Sequence, residues 1–155
     1  MLIYIGADHR GFKLKEKIKS FLEVKGYEVA DLGNAQFDEA DDYPDFAGAV
    51  AGRVSREYES SRGILICGSG AGVAIAANKF PKVRAALALT PDQAFDGRND
   101  DDVNILTLAA NYTDEAAAEK IVMAWLNTPF AGEDRHRRRL GKIGEIEAGK
   151  KSENT

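Results

Sequence analysis

A single cysteine stands in a setting that could do chemistry. Cys67 opens the run Cys67-Gly68-Ser69-Gly70-Ala71-Gly72, directly after the apolar stretch Ile64 to Ile66. A thiol between a strand and a helix can act, as its thiolate, as a base or a nucleophile. Glycines let the backbone turn tightly, and the freed N–H groups make a nest for an anion or a developing oxyanion. The run is neither a P-loop, since no lysine follows, nor a dinucleotide fingerprint, since its third glycine comes one residue early. A tight turn chosen for packing explains the glycines equally well, and a lone cysteine is commonly a small buried hydrophobe.

Three further clusters carry charge or protons. Asp8-His9 follows an apolar run, so His9 can bind an anion or transfer a proton while Asp8 orients it; a helix cap and an exposed loop histidine are the plainer alternatives. Arg135 and Arg139 flank His136 and are one helical turn apart, a spacing that faces two guanidinium forks the same way; a solvated charged face is the alternative. Asp100, Asp101 and Asp102 read as a loop with one member lining a site. Their adjacency, the absence of a nearby histidine in sequence and the lack of calcium-loop spacing argue against a metal.

These residues need elements to hold them. Apolar runs at 2–7, 27–32, 63–67, 83–89 and 103–108 predict five strands. Helices are expected between them. Residues 12–25 place Leu14, Ile18, Phe21 and Leu22 on one face with lysines opposite, and Gly26 stops the helix. Others run from Asp45 to about Tyr58, from Ala71 to Phe80, from Pro91, and from a Thr113 cap through Trp125. Strands alternating with helices imply a mostly parallel sheet covered on both faces, with ligands beyond the carboxyl ends of the strands. Beyond Pro129 a helical extension poor in large apolar residues is expected to dock on a second subunit.

The 155 residues fit one domain over 1–150, with 151–155 as a frayed tail. With 44% apolar and 30% charged residues the composition is that of a globular protein. No apolar run spans a bilayer, and the N-terminus lacks the pattern of a signal peptide, so a cytoplasmic protein without membrane contact is expected. A net charge of -4 argues against a nucleic-acid partner, and the local basic cluster suits a small anion.

Together these segments resemble the B-type ribose-5-phosphate isomerases, a family that includes the allose- and galactose-6-phosphate isomerases. The resemblance covers Met1 to about Ile146 and rests on 6–18 (GADHRGFKLKEKI), 42–47 (DYPDFA), 63–87, 103–106 (VNIL) and 128–143. It implies a three-layer α/β/α domain with a five-stranded parallel sheet in the order 2-1-3-5-4. It also implies an aldose–ketose isomerase needing no metal or organic cofactor, working as a homodimer or homotetramer with sites at the subunit interface. Carried over, Cys67 moves the proton between C1 and C2, and the amides of Gly68, Gly70, Ala71 and Gly72 hold the enediolate. Ser69 keeps a hydroxyl where the family often has threonine. Asp8 and Tyr43 contact sugar hydroxyls, and His9, Arg135, His136 and Arg139 the phosphate. Three positions depart from the family. Asp100 and Asp101 stand where a His-Asn pair usually opens the sugar ring, and Asn111 stands where an arginine is common. Ribose 5-phosphate is the leading substrate. A different aldose or hexose phosphate, or a non-catalytic sugar-phosphate-binding subunit, is the alternative those departures raise.

Overall fold

The computed structural model describes residues 1–149, so the expected tail at 151–155 lies outside the described residues. Five strands form one parallel sheet in the order β2-β1-β3-β5-β4, as the resemblance implied. They are β1 (Leu2–Ala7), β2 (Glu28–Asp31), β3 (Ser61–Cys67), β4 (Ala85–Leu87) and β5 (Ile105–Ala109). Central strands β1, β3 and β5 are nearly continuous apolar runs because helices cover both of their faces. One face packs Ile3, Ile5, Ile64, Ile66 and Leu108 against α1 (Phe12–Val24), α4 (Pro91–Asp101) and α5 (Glu115–Asn127). The alternate side chains, Tyr4, Leu65, Cys67 and Ile105, meet Val50 and Val54 of α2 (Tyr43–Arg56) and Val73 of α3 (Ala71–Ala77). Each fully buried Ile, Leu or Val stabilises by about 1.5–3 kcal/mol, so these three strands fix the sheet and the loops leaving it.

Four sequence expectations are corrected. The fourth strand shrinks from 83–89 to Ala85–Leu87, because only this stretch pairs with β5 at the sheet edge. Asp114, not Thr113, caps α5: its carboxylate accepts from the amide of Ala117 at 2.8 Å, while Thr113 is buried. Lys15 does not face solvent. It is fully buried, and its Nζ donates to both Asp31 oxygens (2.9 and 2.8 Å) and to the Asn34 carbonyl (2.6 Å), which compensates the desolvated charge. Finally, Asp100 and Asp101 are not in a loop. They end α4, and Asp102 follows as its left-handed C-cap (φ 49°), held by Arg98 and Arg84, each at 2.6 Å.

Helix α6 (Asp134–Glu147) extends from the domain with one buried residue, His136. Among the described residues no helix is long and apolar enough to cross a membrane.

Candidate active site

Strands β1 and β3 end side by side, and a cleft of about 340 Å³ opens beyond them. One wall is the turn after β1, with Asp8, His9 and Arg10. A second is the turn after β3, with Cys67, Gly68, Ser69 and Gly72. Asp41, Asp42 and Tyr43 close the third side at the start of α2. Pro44 in the first turn starts α2 sharply there, because its fixed φ suits a helix start and its missing N–H would have no partner in that turn.

The thiol is 4% exposed, and its Sγ accepts a hydrogen bond from the Gly70 amide at 3.1 Å. Gly70 presents that amide by taking φ +73°, a conformation that glycine adopts without steric cost. The Ser69 hydroxyl accepts from the Ala71 amide at 3.3 Å. From behind, the amides of Ala110 and Asn111 donate to the carbonyls of Cys67 (2.9 Å) and Gly68 (3.0 Å), so the segment after β5 pins the loop. Two side chains lie directly on it. A Cβ at Gly68 would stand 2.7 Å from Arg10 Nε, and one at Gly72 would stand 2.8 Å from Tyr43 Cζ.

Asp8 is buried, and one of its oxygens accepts from the Gly11 amide at 3.0 Å. His9 is fixed by Asp41. A single carboxylate oxygen accepts from the His9 amide (2.9 Å) and contacts its Nδ1 (2.8 Å), while Asn34 Nδ2 donates to the other oxygen (3.1 Å). The bond to Asp41 outweighs desolvation and raises the His9 pKa above its ordinary 6.5. Burial works against the charge of Asp41, but the bonds from His9 and Asn34 prevail and hold its carboxyl below the ordinary 3.8. The cleft therefore favours an imidazolium at its rim, suited to an anionic group.

Cys67, Gly68, Ser69, Gly72, Asp8, His9 and Tyr43 thus come together, with Gly70, Ala71 and Asn111 building the loop behind them. Asp100, Asp101, Arg135, His136 and Arg139 do not line this cleft of their own chain. Arg135 and Arg139 are exposed on α6, whereas His136 is 1% exposed, so the three do not share one face. A histidine does lie near Asp100: His136 Nε2 is 3.7 Å from its Oδ1, too long for a hydrogen bond. Among the described residues no group of three His, Cys, Asp or Glu side chains could hold a metal ion. Sequence reasoning missed Arg10, Asp41 and Asp42. Arg10 adjoins Asp8-His9, which was the available signal. The two aspartates were hidden in an acidic stretch that gave no indication of which members turn inward.

A parallel α/β domain that sets a thiol, a glycine loop and an Asp-held histidine at the carboxyl ends of its strands is equipped for proton transfer on a small anionic substrate, the work of an isomerase. The chain belongs to the ribose/galactose isomerase family, which it matches over residues 3–143. It is 41% identical over 145 residues to ribose-5-phosphate isomerase B of Escherichia coli K12, covering 94% of this chain and 95% of that one. The crystal structure of ribose-5-phosphate isomerase B from Mycoplasma genitalium with bound ribulose-5-phosphate superposes with a TM-score of 0.92, at 42% identity over 95% of this chain and 96% of that one. The enzyme of the same name from Clostridium thermocellum gives 0.92 at 45% identity, covering 97% of this chain and all of the other.

Proposed function

We propose that the protein interconverts ribose 5-phosphate and ribulose 5-phosphate through a cis-enediolate, with Cys67 as the proton-shuttling base and no metal or organic cofactor. Asp100 of a neighbouring copy first opens the sugar ring, taking the O1 proton and passing it to the ring oxygen. The Cys67 thiolate removes the C2 proton, the electron pair forms the C1–C2 double bond, and the former carbonyl becomes the enediolate oxygen. Amides of residues 68–72 receive that charge. The thiol returns its proton to C1, and the Ser69 hydroxyl passes the O2 proton to O1, which completes the ketose. His9, with Arg10 beside it, attracts the phosphate, while Asp8 and Tyr43 orient the hydroxyls. The observation that carries this reading is the Gly70 amide aimed at Cys67 Sγ, 3.1 Å away, inside the one cleft that also holds His9 and Asp41.

We further propose a homodimer or homotetramer whose sites combine two subunits, with Arg135, His136 and Arg139 of α6 reaching the phosphate in the neighbouring copy. Asp101 and Asn111 would complete that pocket. Ile75, Leu87, Leu89 and Phe95 are exposed around the edge strand β4, close to the glycine loop, and a second copy would cover them.

The test is conversion of ribose 5-phosphate by the purified chain without added metal, beside allose 6-phosphate, galactose 6-phosphate and unphosphorylated ribose. A clear preference for ribose 5-phosphate is expected. Preference for a hexose phosphate would reassign the substrate, and inactivity of the chain alone would favour a binding subunit. Mixing Cys67→Ala subunits with Arg135→Ala/Arg139→Ala subunits should restore activity, since mixed dimers hold one intact site. No restoration would reject the shared site.

A further inference from the structure

A second, larger pocket opens at the opposite end of the sheet, near the amino ends of β1 and β3. It measures about 560 Å³ and is lined by Arg62, Arg98, Trp125, Leu126, Pro129 and Phe130, among others. None of its lining residues is acidic. Arg98 is buried and anchored: Nε donates to the Thr128 carbonyl (3.4 Å), and one terminal nitrogen to Asp102 Oδ1 (2.6 Å) and the Val103 carbonyl (2.9 Å). Arg62 uses one terminal nitrogen on the carbonyls of Ser61 (2.8 Å) and Tyr58 (3.5 Å). The remaining terminal nitrogen of each guanidinium has no protein partner among the described residues.

The charge around this pocket is not balanced. Arg62, Arg84 and Arg98 lie within mutual range, and one carboxylate, Asp102, binds two of them. Desolvation, followed by repulsion from Arg98, pushes the Arg62 pKa down, so the fold holds this cation against both burial and a like charge. Two half-free guanidinium forks over one cavity match the oxygens of a dianion better than those of a monoanion. The rest of the lining is mostly apolar (Met1, Trp125, Leu126, Pro129 and Phe130) with Asn127 and Thr128 between them, which suits a planar body with a few polar groups attached to that dianion, and the volume is ordinary for a small-ligand site.

We infer that this pocket binds an organic phosphate with a planar body, such as a nucleoside monophosphate, with Arg62 and Arg98 holding the phosphate beneath Trp125 and Phe130. The inference is independent of the reaction proposed for the Cys67 cleft, because the two sites occupy opposite ends of the strands.

Trp125 is the only tryptophan in the chain and therefore reports on this pocket directly. Its Nε1 donates at 3.0 Å to the same Val103 carbonyl that Arg98 uses, so a ligand drawing on Arg98 changes the indole environment. The experiment titrates the full chain with adenosine monophosphate and follows tryptophan emission, with adenosine in parallel. A saturable change is expected with the phosphate and none with adenosine. Arg62→Met, which keeps a long apolar stem, should weaken the response by about tenfold or more while leaving the unfolding temperature close to that of the wild type. Cys67→Ala should leave the response intact. Absence of any response to adenosine monophosphate, an equal response to adenosine, or undiminished binding in a folded Arg62→Met protein would overturn the inference.

Discussion

Gly70→Ala should cost more than any other single methyl added to the site loop, and its cost can be worked from the geometry. Gly70 has φ +73° and ψ -16°, where a residue with a Cβ is disfavoured by about 1–2 kcal/mol. The new Cβ would also stand 2.5 Å from Leu87 Cδ1, 3.1 Å from the Leu108 carbonyl carbon and 3.2 Å from its oxygen. The leucine methyl can swing aside. The Leu108 carbonyl cannot, because β5 is locked beside Ile66 of β3. Overpacking of this kind adds about 1–3 kcal/mol, for a total near 3 kcal/mol. In a chain of this size that lowers Tm by about 6–12 °C. Gly26→Ala is the control: φ is +85° there, but nothing lies within 4 Å of the added Cβ, so only the backbone term applies. At about 1.5 kcal/mol its Tm should fall by about 3–6 °C, half the loss in Gly70→Ala. The two variants should also part in turnover, since only Gly70→Ala shifts the amide that meets Cys67 Sγ. Calorimetric unfolding and steady-state rates on both proteins decide the matter. Equal losses of Tm, or full activity in Gly70→Ala, would refute the packing argument and the role given to that amide.

Other perturbations test separate parts of the site and core. Asp41→Asn should bring the His9 pKa back toward its ordinary value. In the wild type, phosphate affinity should hold below the raised pKa and fall as pH rises through it; in the variant, KM for the sugar phosphate should begin to rise at lower pH while kcat changes little. The same pair should make stability depend on pH in two directions, with the His9 contribution lost as pH rises through its raised pKa and the Asp41 contribution lost as pH falls through its lowered one. Asp100→Asn should lower kcat for ribose 5-phosphate by about 10²-fold if that carboxylate opens the ring, and an unchanged rate would remove it from the mechanism. Lys15→Met removes a fully buried cation from Asp31 and should destabilise the fold by about 3 kcal/mol in denaturant unfolding, with little effect on KM.

Much of this was legible in the residues, for identifiable reasons. Continuous apolar runs at β1, β3 and β5 can only be strands covered on both faces, so the layers and the placement of Cys67, Asp8 and His9 at strand ends followed from the pattern. The short edge strand β4 did not, because Val83 and Leu89 extend its apolar run without having partners on β5. The aspartates at 100–102 read as a loop by composition, whereas Asp100 and Asp101 end a helix whose C-cap, Asp102, is held by two arginines, one of them distant in sequence. Lys15 stands three and seven residues before Ile18 and Leu22, on the buried face of α1, and only its charge suggested a surface position; Asp31 and the Asn34 carbonyl meet that charge. Asp41 was invisible as a site residue because its partner, His9, lies 32 positions away. Arg135 and Arg139 stood out by type, but their composition gave no sign that α6 would leave them exposed and outside the cleft of their own chain.

The most direct test follows the C2 proton of ribose 5-phosphate in deuterated water, comparing wild type with Cys67→Ala by proton magnetic resonance. Wild type should form ribulose 5-phosphate, and the variant should bind the sugar phosphate yet show neither product nor exchange at C2. Isomerisation or C2 exchange at the wild-type rate in Cys67→Ala would contradict the assignment of Cys67 as the base.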